Sequence, residues 1–108
     1  MSRRALFKFR LYVAGDAPNS AQARSNLGAL CRKHLPGQHE IEVVDVFRDP
    51  KRALADGIIM TPTLIKLTPS PIRRIVGALS QTQPVLRALG LGETQPERRA
   101  LGIDTFPA

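Results

Sequence analysis

The chain has 108 residues, 43% hydrophobic and 23% charged, the size and make-up of one globular domain with a modest core. Lys and Arg outnumber Asp and Glu by 16 to 9, a net charge of +7. This favours acidic partners, yet no run of five like charges marks a nucleic-acid-binding arm, and solvated surface charge is the simpler reading. Five aromatics without a tryptophan make no stacking platform for single strands. A lone cysteine, Cys31, excludes an internal disulfide or a multi-cysteine metal site and fits a reducing, cytoplasmic setting. No apolar stretch approaches the ~20 residues of a membrane span, and Lys8 and Arg10 interrupt any signal-peptide core.

Leu6 to Ala14 alternates and then becomes continuously apolar, which predicts a strand half-buried at first and more buried later. Gly15 to Ser20 breaks it with turn residues. Asn19 or Ser20 is the expected cap of a helix whose apolar stripe is Ala23, Leu27, Leu30, Cys31 and Leu35. Gly28 weakens that helix by about 1 kcal/mol relative to alanine, so a close packing contact is expected there. Pro36-Gly37 ends it, and Glu40 to Val46 is a second strand. Strand, helix and strand with short links make a βαβ unit with a parallel pair.

Asp49-Pro50 reads as a cap with proline at the first helical position. The short helix runs to about Asp56, with Gly57 as its stop. The apolar run Ile58 to Met60 then leads into Thr61-Pro62-Thr63 and the strand Thr63 to Leu67. Proline is tolerated at a strand's first residue, where no ladder bond need be donated. Thr68 to Pro71 turns the chain, and Ile72 to Val76 returns antiparallel, ending at Gly77. Ser80 or Thr82 opens a last helix with Val85, Leu86 and Leu89 as core contacts. Residues 1–91 form the domain. Residues 92–108 read as a flexible C-terminal tail with a weak helical signal at Pro96 to Leu101.

The order β-α-β-α-β-β-α is that of an α/β, thioredoxin-like mixed sheet with helices on its faces. Domains of that type hold a cis-proline beside the active-site loop, and Pro62 is the candidate for it here, although X-Pro bonds are cis in only about 5–6% of cases. They also carry Cys-x-x-Cys where the first helix begins, because the free N–H groups and helix dipole there lower a thiol's pKa. This chain has Ala17-Pro18-Asn19-Ser20 at that place, and none of these forms a thiolate. Ser20 resembles the serine of some glutathione transferases in position, but a helix cap is its simpler role. Cys31 lies three turns into the helix and reads as structural. His34 and His39 flank the Pro36-Gly37 turn. With Glu40 they fall short of a four-ligand set, so no metal or other cofactor is expected. No carboxylate pair has acid–base spacing, and no phosphate loop is present. The expectation is a binding module, not an enzyme. The alternatives are a thiol-independent enzyme of the thioredoxin or glutathione-transferase type and a basic nucleic-acid-binding module.

Four irregular segments carry a more specific resemblance. Leu11-Tyr12-Val13-Ala14-Gly15-Asp16-Ala17-Pro18-Asn19-Ser20, Val44-Asp45-Val46, Thr61-Pro62-Thr63-Leu64, and the run from Pro69-Ser70-Pro71 to Gly77-Ala78-Leu79-Ser80 are similar in order and spacing to the KaiB family, over roughly residues 6 to 91. The family's Gly-Asp-Leu-Ser reads Gly77-Ala78-Leu79-Ser80 here. The acidic tail of cyanobacterial members gives way to one with Glu93, Glu97, Arg98, Arg99 and Asp104. The resemblance implies a non-enzymatic regulator that binds the ring of a KaiC-like, RecA-type ATPase in a circadian or simpler timing or stress-response system. It also implies a histidine kinase, with a KaiB-like domain of its own, as a competitor for the same site. By the same resemblance Lys66, Arg73 and Arg74 face the ring, although strand alternation sends Arg73 and Arg74 to opposite faces.

The family also implies a homo-oligomer, dimer or tetramer, when free. A second, ground-state fold with a rearranged half after about residue 50 belongs to the same precedent. Pro84, early in the last helix, and Ala88, where cyanobacterial members have glycine, lean this chain toward the thioredoxin-like form.

Overall fold

The computed structural model describes residues 6–91; the expected tail, 92–108, lies outside them. The elements run β1 (Phe7–Val13), α1 (Pro18–His34), β2 (His39–Asp45), α2 (Pro50–Ala55), β3 (Thr63–Thr68), β4 (Arg73–Val76) and α3 (Thr82–Ala88). This is the expected β-α-β-α-β-β-α order of a thioredoxin-like fold. The sheet order is β2-β1-β3-β4, with β1 parallel to β2 and antiparallel to β3, and β4 antiparallel to β3.

Alternation divides the sheet into two faces. On one, Phe9, Leu11 and Val13 of β1 and Leu64 of β3 pack with Ala23, Leu27, Leu30 and Cys31 of α1 and Val85, Leu86 and Leu89 at α3. On the other, a smaller cluster joins Tyr12, Val44 and Ile65 to Ala53 of α2. β1, central and covered on both sides, turns continuously buried at Leu11–Val13. The apolar run in the sequence has this cause.

Helix starts differ from expectation. Neither Asn19 nor Ser20 caps α1: Ala17 is the N-cap and Pro18 the first helical residue. Proline pre-sets φ and has no N–H to satisfy, so the helix opens early. The buried Ser20 hydroxyl instead accepts the Ala14 N–H at 3.0 Å, tying α1 to the end of β1. Gly28 makes no close contact with another element; the Arg32 guanidinium is its near neighbour. At α3 the N-cap is Gln81, without a side-chain cap bond, and Thr82 is already helical. Pro84 is then the third helical residue, still in the turn where backbone N–H groups lack intrahelical acceptors.

Two helices end as glycine requires. Gly57 and Gly90 adopt φ of 67° and 79°. The N–H groups of Gly57 and Ile58 bond back to Leu54 and Ala53, and those of Gly90 and Leu91 to Arg87 and Leu86. Both are Schellman closures, which need a left-handed residue.

Candidate partner-binding surface

The Thr61–Pro62 peptide is cis, and Pro62 is buried at the start of β3. The neighbouring loops lie at the same end of the sheet as the carboxyl ends of β1 and β2. Here three apolar side chains stand in solvent: Phe47 at 74% exposure, Ile59 at 92% and Met60 at 60%. An open cleft of ≈ 600 Å³ lies at the carboxyl ends of β1 and β2. Asp16, Asp45, Asp49, Arg24, Arg48 and Arg52 line it together with Val13 and Val43. Asp45 Oδ1 accepts the N–H groups of Gly15 (3.2 Å) and Phe47 (2.9 Å), so this carboxylate shapes the loops. Ala17, Pro18, Asn19 and Ser20 stand where a thiol pair would sit, and three acids and three arginines line the cleft.

Cys31 is fully buried, and desolvation raises its thiol to about 11. The thiolate is the reactive form. At neutral pH Cys31 is therefore expected to react with an aromatic disulfide reagent on the time scale of unfolding. Reaction as fast as that of a free thiol would contradict its structural role.

The three residues predicted to face a partner separate. Lys66 is 3% exposed. Its ammonium lies 3.5 Å from the Leu89 carbonyl at the end of α3 and 5.8 Å from the Phe7 ring centroid. A cation suits the negative end of a helix and a π face. Burial, and secondarily Arg73, lowers its pKa. Arg73 is in register with Lys66, and Arg74 with Ile65, so they lie on opposite faces, both exposed. Neither makes an ion pair among the described residues. The loop that follows is pinned where Asn26 Nδ2 donates to the Ala78 carbonyl at 2.8 Å. Leu79, buried beside it, holds a left-handed φ of 62°. That conformation is unfavourable for leucine and persists because packing over-determines it.

A polar network on the α2 face went unread in the sequence. Arg10 donates to Glu42 and to Asp56, each at 3.0 Å, and Arg52 donates to Glu42 at 2.7 Å. The buried Tyr12 hydroxyl reaches Asp56 and, at 3.1 Å, the Arg52 carbonyl. In the sequence no carboxylate pair has acid–base spacing, and the network is not visible. The available signals were the two-residue spacing of Arg10 and Tyr12 on one strand face and the four-residue spacing of Arg52 and Asp56 on one helix face.

Hydrogen bonds from Arg52 and then Arg10 hold Glu42 down at about 2, against an ordinary 4.5. Tyr12 and then Arg10 lower Asp56. A depressed acid stabilises the fold above its unfolded value, and the effect is lost as pH falls through the folded value. Because Glu42 is half exposed, solvent screens the pair. Glu42→Gln is expected to lower stability by ~0.5–1 kcal/mol at neutral pH. The difference should fade as pH falls from about 4.5 toward about 2. Urea midpoints of both proteins across that range measure it; a pH-independent gap would remove the charge from the explanation.

The sheet is of thioredoxin type, and the chain carries one cysteine, Cys31, and no Cys-x-x-Cys at its first helix. Solved structures that match the fold include two of particular interest. The N-terminal domain of Synechococcus elongatus SasA has TM-score 0.66 and 16% identity, covering 88% of this chain and 93% of that one. Fasciola hepatica thioredoxin has TM-score 0.62 and 17% identity, over 80% and 78%. At the level of sequence the match is closer. Residues 10–91 match the KaiB domain model. The circadian clock oscillator protein KaiB of Prochlorococcus marinus (strain MIT 9313) is 43% identical over 84% of this chain and 76% of its own length. That of Thermosynechococcus vestitus is 42% identical over 82% of both. The chain belongs to the KaiB family.

Proposed function

We propose that this protein is a non-enzymatic clock-type regulator that binds the ring of a KaiC-like, RecA-type ATPase, in a circadian or simpler timing or stress-response system. The observation that carries the reading is the family match across residues 10–91, with relatives named as circadian clock proteins. The missing thiol pair agrees with it. A histidine kinase with a KaiB-like domain is the expected competitor for the same ring.

Exposed Arg73 and Arg74 are the available cations of the predicted contact set, while buried Lys66 acts from beneath by holding the end of α3. The exposed Phe47, Ile59 and Met60 add the apolar contact that interface cores use.

Pull-down with a purified KaiC-like ATPase, in each nucleotide state, tests the proposal. A complex at micromolar concentration is expected. It should persist in salt that strips the protein from random DNA, whose binding is electrostatic. No complex in any nucleotide state defeats the reading.

A further inference from the structure

α2 runs out into the dipeptide Asp56-Gly57, the one Asp-Gly in the chain. With no side chain, glycine leaves its backbone nitrogen free to close on the preceding carboxyl as a five-membered succinimide ring.

The fold holds both reacting groups out of that ring. The Gly57 N–H is donated to the Leu54 carbonyl at 3.0 Å, inside the closure that ends α2. Asp56 has a ψ of 2°. This eclipses the Gly57 nitrogen with the Asp56 nitrogen, whereas the ring needs it eclipsed with Asp56 Cβ. Asp56 Oδ2 accepts from the Tyr12 hydroxyl and from Arg10, the latter at 3.0 Å. Tyr12 and then Arg10 lower the carboxyl's pKa, and a carboxylate is a poorer electrophile than the neutral acid. Tyr12 is fully buried on β1, so the carboxyl turns toward Gly57 only when the end of α2 leaves the sheet. Its side chain is 28% exposed, so water reaches it.

We propose that Asp56-Gly57 is a latent modification site, kept from isomerising to isoaspartate by the contacts of Asp56 with Tyr12 and Arg10, and open to it when the end of α2 undocks. The Gly57 nitrogen attacks Asp56 Cγ. An N–Cγ bond forms, a Cγ–Oδ bond breaks, and that oxygen leaves as water with the amide proton and the proton of the acid. Water then adds to one carbonyl of the ring. Breaking the bond from nitrogen to Cγ restores aspartate; breaking the main-chain bond instead routes the backbone through Cγ. Mass is unchanged, and no oxidant or cofactor takes part. The isomer puts an extra methylene into the backbone just before the exposed Ile59 and Met60, and it moves the carboxylate away from Tyr12 and Arg10. An isoaspartyl methyltransferase, carrying a methyl group from S-adenosylmethionine to the displaced carboxylate, would take such a residue as substrate.

Prolonged incubation of the full chain at neutral pH, read by that methyl transfer and by peptide mapping, tests this independently of any ATPase. Isomerisation at Asp56 is expected to run roughly tenfold or more slower than in a short peptide spanning Arg52 to Met60, because a locally opened state reacts in proportion to its population. Guanidinium chloride at an unfolding concentration should bring the two rates together. Tyr12→Phe and Arg10→Gln should each speed the reaction by roughly fivefold or more, as loss of a hydrogen bond to a charged group allows. Far-UV circular dichroism checks that each is folded. Asp56→Glu, whose longer arm closes no five-membered ring, should give no product at that position. A folded chain that isomerises as fast as the peptide would overturn the proposal. So would an unfolded chain that yields no product, or folded Tyr12→Phe and Arg10→Gln both reacting at the parent rate.

Discussion

Lys66→Glu is expected to cost about 3–5 kcal/mol of folding stability, as an unpaired buried charge does, from a total of ~5–15 kcal/mol. The replaced ammonium lies between the Leu89 carbonyl and the Phe7 ring. Both repel a carboxylate: one is the negative end of a helix, the other the negative face of a π system. Lys66→Met keeps the long apolar stem and removes the cost of burying charge. It is expected to remain within ~1 kcal/mol of the parent.

The pH dependence separates the two variants further. Burial lowers the Lys66 pKa in the folded state. A base whose folded pKa is depressed binds fewer protons folded than unfolded, so stability rises with pH between the two values. The parent should therefore gain on Lys66→Met as pH climbs toward the ordinary lysine value of about 10.4. Urea unfolding at neutral and alkaline pH reads both effects. A Lys66→Glu protein as stable as the parent would return Lys66 to the surface. Until this is measured, loss of ATPase binding in Lys66→Glu does not identify a contact.

Leu89→Ala is expected to cost about 2–5 kcal/mol, the range for a leucine truncated in a packed core. Leu89 is 1% exposed and sits at the end of α3. With Val85 and Leu86 it forms the apolar attachment of that helix to the main core. Ala88→Gly should add about 1 kcal/mol through helix propensity alone. The family precedent is a second arrangement of the half after about residue 50, and α3 belongs to it. Two packings of one chain need differ by only a few kcal/mol. Backbone chemical shifts of Leu89→Ala and Ala88→Gly are therefore expected to lose helical character across residues 82–88 while β1 and α1 keep theirs. Loss of all elements in one step would show that α3 has no independent equilibrium.

Much of the fold was written locally. Continuous apolarity at Leu11–Val13 marked a strand covered on both sides. Asp49-Pro50 and Gly57 bracketed α2, and Pro69 and Pro71 isolated a hairpin. These signals are legible because each acts within a few residues, through backbone restriction or period. The absence of a Cys-x-x-Cys before α1 was equally plain.

What only the tertiary structure decided depends on pairs far apart in the chain. Asn19 and Ser20 both satisfied a capping pattern, yet Pro18 opened the helix and Ser20 turned back to Ala14. Lys66 was expected, by resemblance, to face a partner, yet the end of α3 covers it. Arg10, Glu42, Arg52 and Asp56 became a network when β1, β2 and α2 met. The physical reason is the same throughout. Local propensity chooses an element and its faces, whereas burial and electrostatic pairing are set by which elements become neighbours.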